Sequence, residues 1–454
     1  MSTVAKVFQD RDFLKKLVGV ALPLGLQSAV NMIVNLIDTI MVGTMGDVAL
    51  SAVNIGTQFP YLAMTVGMGI NNAALIIAAQ AWGNDKPDKV KKIMAFVIKI
   101  CFVIGVVFFL LSFLFPSQIL NIYTDDAGII KDGAIYLQVL SFSLLIQAIS
   151  HGIISILRTC GVNKLGFYAS FAACLANVFF NWIFIFGNLG APAMGLAGAA
   201  LGTVMARITE FLIAAIYMLK ENKLGFRIPD IRLVMEPLMR SDLIKLGTPS
   251  LISEVTGNLN VSAAAMITGR VSAYYIAANS IIHNAWTLSS LFLFGIAMGG
   301  SVIIGHEIGA KHFDKAKEYS RYFIMIAFVI GIVSAVLTVA IAPFIINFFN
   351  VSEQTRAVAY ELSFAAAIGI LFNAFQIILT KGVLRGGGQA KAVTKVDLLS
   401  CWLVNIPAGI LVALVLKADP FWIYLSLRID YLIKTIWSYW KITKTNWILR
   451  MNVD

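Results

Sequence analysis

Asp38 is the residue whose type and position most plainly invite chemistry. It lies about 21 residues into an apolar run that begins near residue 17, with Asn31 and Asn35 seven and four residues before it. That spacing puts all three on one face of a helix. An ionisable group in the middle of a membrane span costs roughly 2.5–3.5 kcal/mol on insertion scales, so it is kept for a purpose. Such a carboxylate can be neutralised by a proton or by a bound cation, and either would couple an ion to movement. A hydrogen bond to a neighbouring helix is the structural alternative. Glu254, about eleven residues into a later run, forms a stripe with Ser250 and Asn258 at i, i+4, i+8. It reads either as a functional acid or as a carboxyl paired within the second half of the chain. Asn177 and Asn181, one turn apart, suit ion ligation and interhelical hydrogen bonding equally. Asn279 with His283, and Asn373 with Gln376 and Thr380, make further polar stripes. His283 reads more readily as a helix-to-helix hydrogen bond than as a proton carrier. Arg207 and Glu210, three apart, are expected to pair. Arg428 and Asp430, two apart, need partners elsewhere or a membrane edge, and Glu361 and Asp397 near helix ends are expected to be solvated.

The elements that position these residues follow from composition. Of 454 residues, 59% are hydrophobic and 13% charged, with a mean hydropathy of +0.83. Soluble domains run nearer ~45–50% apolar and ~25% charged. A soluble fold would have to expose much of this apolar content, whereas lipid accepts it. Apolar runs long enough to cross a bilayer fall near residues 17–45, 53–81, 94–115, 134–158, 166–187, 193–219, 243–268, 275–305, 322–348, 358–384, 393–416 and 421–440. The expected fold is therefore an all-α membrane protein of twelve transmembrane helices. If both termini face the cytoplasm, inner segments hold 27 Lys and Arg residues and outer loops four. That bias is what orients membrane proteins. It accounts for the net charge of +11, so no nucleic-acid partner is expected. Cys101, Cys160, Cys174 and Cys401 lie far apart and read as apolar helix or loop residues, with neither metal nor disulfide framework. No cleaved signal peptide is expected, because the first sixteen residues are polar and no small-residue cleavage site follows the first apolar run. No GxxxxGK[ST], HExxH or GxSxG motif occurs and the acids are dispersed among helices. Neither direct ATP use nor enzyme chemistry has a foothold.

The sequence repeats on itself. Residues 69–91 and 295–317, offset by 226, match at seven of 23 positions, and Pro23 and Pro249 share the offset. One residue further, LRTCG at 157–161 aligns with LRGGG at 384–388. Two halves of six spans each begin on the same side of the membrane, so they are parallel repeats. The expected organisation is an N-lobe over residues 1–222, a cytoplasmic linker over 223–242 and a C-lobe over 243–454. In such transporters the substrate site lies at the interface of the halves, and one half rocks against the other.

Several segments resemble a known family when taken in order. They are Asn31 to Gly43 with Pro23 upstream, LRTCG after helix 4, Asn177-Val-Phe-Phe-Asn181-Trp182 in helix 5, residues 195–200 opening helix 6, and LRGGG in the second half. Together they resemble the MATE (multidrug and toxic compound extrusion) family across essentially the whole chain. The resemblance implies an antiporter that expels small organic cations or drugs against inward flow of H⁺ or Na⁺, with no other cofactor. The family's helix 1 carboxylate corresponds to Asp38, and the cation site of related members to Asn177, Asn181 and Thr203. Na⁺ at Asp38, Asn177, Asn181 and Thr203 is thus one expectation. Some relatives carry Asp where Asn181 stands, and one fewer charge favours a proton. Glu254 matches the helix 7 acid of the NorM-like branch, while Asn373 stands where that branch often has a second acid. Glu254, Asn258, Asn279, His283, Asn373 and Gln376 are the candidates for a substrate cavity in the C-lobe. The protein is expected in the cell membrane as a multi-pass monomer with both termini cytoplasmic. A lipid-linked saccharide flippase is the alternative; it would favour a strongly basic cavity, and here the deep acids outweigh Arg207.

Overall fold

In hydrocarbon every backbone polar group must be satisfied within its own segment, so long apolar runs become helices. A computed structural model of the chain describes residue 7 and residues 9–220, 223–349 and 351–451, and the regular elements among them are all helical. Residue 222, where the N-lobe was expected to end, lies outside the described residues. In chain order the long helices are α1 Arg11–Gly43, α2 Val48–Gly83, α3 Pro87–Leu114, α4 Ala127–Thr159, α5 Leu165–Phe186 and α6 Leu196–Lys220. They continue as α7 Pro237–Thr268, α8 Ala273–Gly309, α9 Phe313–Phe348, α10 Glu353–Leu384, α11 Ala390–Val415 and α12 Ile429–Lys444. A short helix, Pro420–Ser426, precedes α12.

Among the described residues ten helices are long and apolar enough to cross a membrane; α7, at 32 residues, is too polar to qualify on its own, and α12, at 16 residues, is too short. Both carry charged side chains that are neutralised inside the protein, as described below. Each apolar run expected from the sequence falls in a helix, although the last is broken between Ser426 and Ile429.

The chain divides into two compact units. An early unit comprises Leu26–Trp82 and Lys86–Leu243; a late unit comprises Ile244 onward together with Gly83–Asp85 and the described residues up to Gly25. These units depart from the expected lobes: the described part of the linker groups with the early unit, Gly83–Asp85 with the late one, and both α1 and α7 are divided between them. The first part of α1 packs in the late unit, where Phe13 lies 4.8 Å from Tyr319 and 5.4 Å from Phe323 between ring centroids. Pro23, inside α1 and just before the division, removes one backbone hydrogen bond from the helix.

In the early unit the linker is tied down rather than loose. Lys92 Nζ donates to Glu236 at 2.6 Å and Lys99 Nζ to the Leu233 carbonyl at 2.9 Å. The late unit explains its own LRGGG motif. A Cβ on Gly386 would lie 2.8 Å from the backbone of Ser301, so α8 packs closely against the chain just past α10, and Gly388 adopts φ +81°. Just before this motif, residues Ile377–Leu384 wind as a π-helix.

Candidate functional site

In the early unit, α1 from Leu26 onward presents Asn31, Asn35 and Asp38 to one cavity of about 330 Å³. A neighbouring cavity of about 480 Å³ also reaches Asn35, Asp38 and Thr203. Asp38 Oδ1 accepts a hydrogen bond from Asn181 Nδ2 at 2.7 Å, and the same nitrogen donates to Asn177 Oδ1 at 3.3 Å. Both asparagines are fully buried on α5. Their one-turn spacing, open to two readings from sequence, thus serves the helix 1 carboxylate. Thr203 lines both cavities from α6, and its hydroxyl donates to the Ala199 carbonyl at 3.1 Å.

Close approach of α5 and α6 makes this possible. Gly202 faces Asn181, and a Cβ there would stand 3.0 Å from both the Cγ and the backbone nitrogen of Asn181. Gly198, one turn earlier, faces the backbone of Phe184 and Ile185. Two small residues four apart are a common means of bringing membrane helices together.

Arg207 also lines the larger-walled cavity, and the expected pairing is present, with Nη1 2.9 Å from Glu210 Oε2. His151 Nε2 lies 3.8 Å from the other oxygen of Glu210. Glu210 itself is fully buried and does not line either cavity, which leaves Asp38 as the one acid among the described residues that does.

For a cation, the donor set is one carboxylate, the Asn177 oxygen and the Thr203 hydroxyl. Asn181 turns its NH₂ group toward Asp38, and its own oxygen is buried without a donor. Hard cations gain most from several oxygens and formal charge. No cluster of three or more His, Cys, Asp or Glu occurs among the described residues.

The late-unit candidates lie on three helices, α7, α8 and α10. Gln376 Nε2 donates to Asn373 Oδ1 at 3.1 Å, one turn away on α10. Asn279 and His283 lie on α8, and among the described residues no hydrogen bond or ion pair joins either to Glu254. Among the described residues no hydrogen bond of the His283 side chain to another helix is found. Asn258 lies on α7, one turn beyond Glu254. Glu254 is held by Lys381 of α10 at 3.0 Å and by Arg385, at the end of that helix, at 2.9 Å.

These bases were missed from the sequence because they were counted as loop charges, as was Arg158, which is buried in α4. Their spacing of four was the available signal. Asp397, expected to be solvated, is buried: it accepts from the Ser253 hydroxyl and pairs with Lys434 at 3.1 Å. Lys434 also meets Asp430 at 2.9 Å, which supplies the partner Asp430 required. Glu361 likewise is not simply solvated, because its Oε1 accepts the Phe421 amide at 3.0 Å and satisfies a free N–H at a helix start. Arg428 sits 3.5 Å from the ring centroid of Tyr424, a cation–π contact.

A family model described as MatE matches residues 23–183 and 249–411. The probable multidrug resistance protein YoeA of Bacillus subtilis is 24% identical over 85% of this chain and 84% of its own length. The multidrug resistance protein NorM of Vibrio vulnificus strain YJ016 is 25% identical over 90% of each. Among solved structures, the D35N mutant of the Vibrio cholerae MATE transporter VcmN superposes with a TM-score of 0.87 at 16% identity, over 95% of this chain and 97% of that one. That likeness carries the fold alone, and the family match spans both repeats. The chain belongs to the MatE family of multidrug and toxic compound extrusion transporters, multi-pass membrane proteins built of two helical lobes.

Proposed function

We propose that the protein is a secondary antiporter that expels amphipathic organic cations, with Asp38 as its coupling carboxylate and a proton as its principal coupling ion. The observation that carries this reading is that Asp38 is the one acid lining either early-unit cavity among the described residues. The walls around it include Tyr61, Met64 and Tyr136, apolar and polarisable surfaces that suit partly apolar cations of varied shape. The names of relatives, multidrug resistance proteins, point the same way.

A substrate cation and a proton both neutralise the same carboxylate, so binding of one disfavours the other. Exchange then requires that each be held more tightly in one orientation of the carrier than in the other. Asn181 and Asn177 orient the carboxylate, and Thr203 adds a hydroxyl to the same cavities. The protein would act as a monomer in the cytoplasmic membrane with both termini inside. Na⁺ is the weaker candidate, since Asp38 is the only formal negative charge the site offers a cation among the described residues.

Reconstitution in liposomes tests the reading. A pH gradient at zero Na⁺ should drive uptake of a fluorescent organic cation into inverted vesicles, and Asp38→Asn should abolish it while expression is kept. Transport that is silent without Na⁺ and indifferent to the pH gradient would overturn the proton assignment.

A further inference from the structure

The late unit contains a continuous set of buried charges that the reading above does not use. Lys381 Nζ lies 3.2 and 3.0 Å from the two oxygens of Glu254, and Arg385 Nη1 lies 2.9 Å from the first. Arg385 Nη2 donates to the Ser253 hydroxyl at 2.7 Å, and Ser253 donates to Asp397. Lys434 then bridges Asp397 and Asp430. Three acids face three bases, so the set is neutral.

Its members are not equivalent. The side chain of Lys381 is 26% exposed and that of Glu254 18%, against 4% for Arg385. Lys381 alone touches both oxygens of the carboxylate, as a small monovalent cation would. The repeat shows which charges belong together. At the offsets that align the halves, Glu254 corresponds to Ser28 and Lys381 to Ile154, whereas Arg385 corresponds to Arg158. The acid and the lysine are both absent from the first half and both present in the second. The backbone differs as well: Lys381 sits in the π-helical stretch Ile377–Leu384, while the equivalent part of α4 is α-helical throughout. Single π-turns inside helices occur often at functional positions.

We propose that Lys381 is a tethered counter-cation: its ammonium takes, against Glu254, the place a mobile monovalent ion would otherwise occupy. The late unit then binds no coupling ion, and the ion stoichiometry is set in the early unit. This last consequence rests on the reading of Asp38 as the coupling carboxylate. Deleting the Lys381 charge leaves three acids against two bases: Glu254 keeps Arg385 on Oε1, but its Oε2 loses the base that Lys381 supplied. Net charge left uncompensated inside the protein is strongly unfavourable. The site must therefore recruit Na⁺ or a proton.

The test uses the full chain in nanodiscs, with Asp38→Asn in every variant to silence the early unit. Melting temperature is measured in NaCl against choline chloride at constant ionic strength, and across pH 5–8. D38N alone should respond specifically to neither Na⁺ nor pH in this site. D38N/K381M, or D38N/K381Q if the first does not fold, should gain a Na⁺-specific or proton-specific stabilisation, and adding Glu254→Gln should remove it. Lys381→Arg in place of K381M should stay indifferent to both. A lysine-less variant insensitive to both ions would overturn the proposal, as would a Na⁺ response already present in D38N. A second measurement stands apart from folding of the unbalanced variants: E254Q/K381M, which deletes an ion pair as a unit, should leave the proton-to-substrate ratio of the otherwise native transporter unchanged. A changed ratio would overturn the proposal. Failure of the transport reading shows separately, as export that survives D38N.

Discussion

Replacing Gly202 with Ala puts a methyl group against Asn181, at 3.0 Å from its Cγ and backbone nitrogen and closer still to its amide oxygen. The amide must move, and with it the 2.7 Å hydrogen bond to Asp38. Overpacking alone destabilises by about 1–3 kcal/mol. A hydrogen bond to a charged group contributes about 1.5–3 kcal/mol. Gly198→Ala separates the two effects, because it crowds the backbone of Phe184 and Ile185 without touching Asn181. The assay is a pair of double-mutant cycles with Asp38→Asn, read by denaturant unfolding in mixed micelles and by transport. G202A and D38N should be coupled by about 1.5–3 kcal/mol, the scale of the lost hydrogen bond, whereas G198A and D38N should add within about 0.5 kcal/mol. G202A should also impair transport more than G198A at matched stability. If G202A and D38N prove additive, the Asn181–Asp38 contact does not link the two helices energetically, and the argument from geometry fails.

Asp397→Asn should cost about 3–5 kcal/mol in the same unfolding assay, because it breaks a buried pair; an acid at a solvated helix end would change stability by no more than about 0.5 kcal/mol. Glu236, outside the spans, is held below its ordinary value of 4.5 by the Lys92 hydrogen bond, with further help from the Lys92 and Lys89 charges. A lowered carboxyl contributes stability above its unfolded value and loses it as pH falls through the folded one. Glu236→Gln should therefore flatten the acid side of a melting-temperature profile below about pH 4.5, by a small amount given the exposure of the site. Single cysteines placed in residues 223–242 should resist impermeant thiol reagents in intact cells, and ready labelling from outside would reverse the assigned orientation.

The helices were legible because lipid imposes one rule on long apolar runs, and Asp38 was legible because a carboxylate stands out against such a run. Periodicity also placed Asn177 and Asn181 on one face of α5. What periodicity cannot supply is the partner across a helix contact: nothing in the spacing said that Asn181 meets Asp38, 143 residues away in the chain. The same limit hid Lys381 and Arg385. Near the end of an apolar run a base looks like a loop charge, and only packing against α7 revealed it as the partner of Glu254. Asp397 failed for the same reason, since its neutralising lysine comes from α12. The sharing of α1 was invisible as well, because hydropathy is continuous across residue 25 and packing is not.

The separation along the chain of the late unit's ion pairs has a consequence for how the protein is made. Glu254 leaves the ribosome 127 residues before Lys381. At about 5–20 residues per second, that leaves roughly 6–25 s during which α7 exists without its neutralising helix. A segment so polar gains little by entering lipid alone. It must wait at the insertion machinery, or enter with its carboxyl protonated, until α10 arrives. The wait is shorter for Asp397 and Asp430, which leave the ribosome 37 and 4 residues before their shared lysine, Lys434. Stable insertion of α7 should therefore await the synthesis of α10, and truncation between residues 268 and 381 should leave α7 poorly inserted rather than merely unpaired.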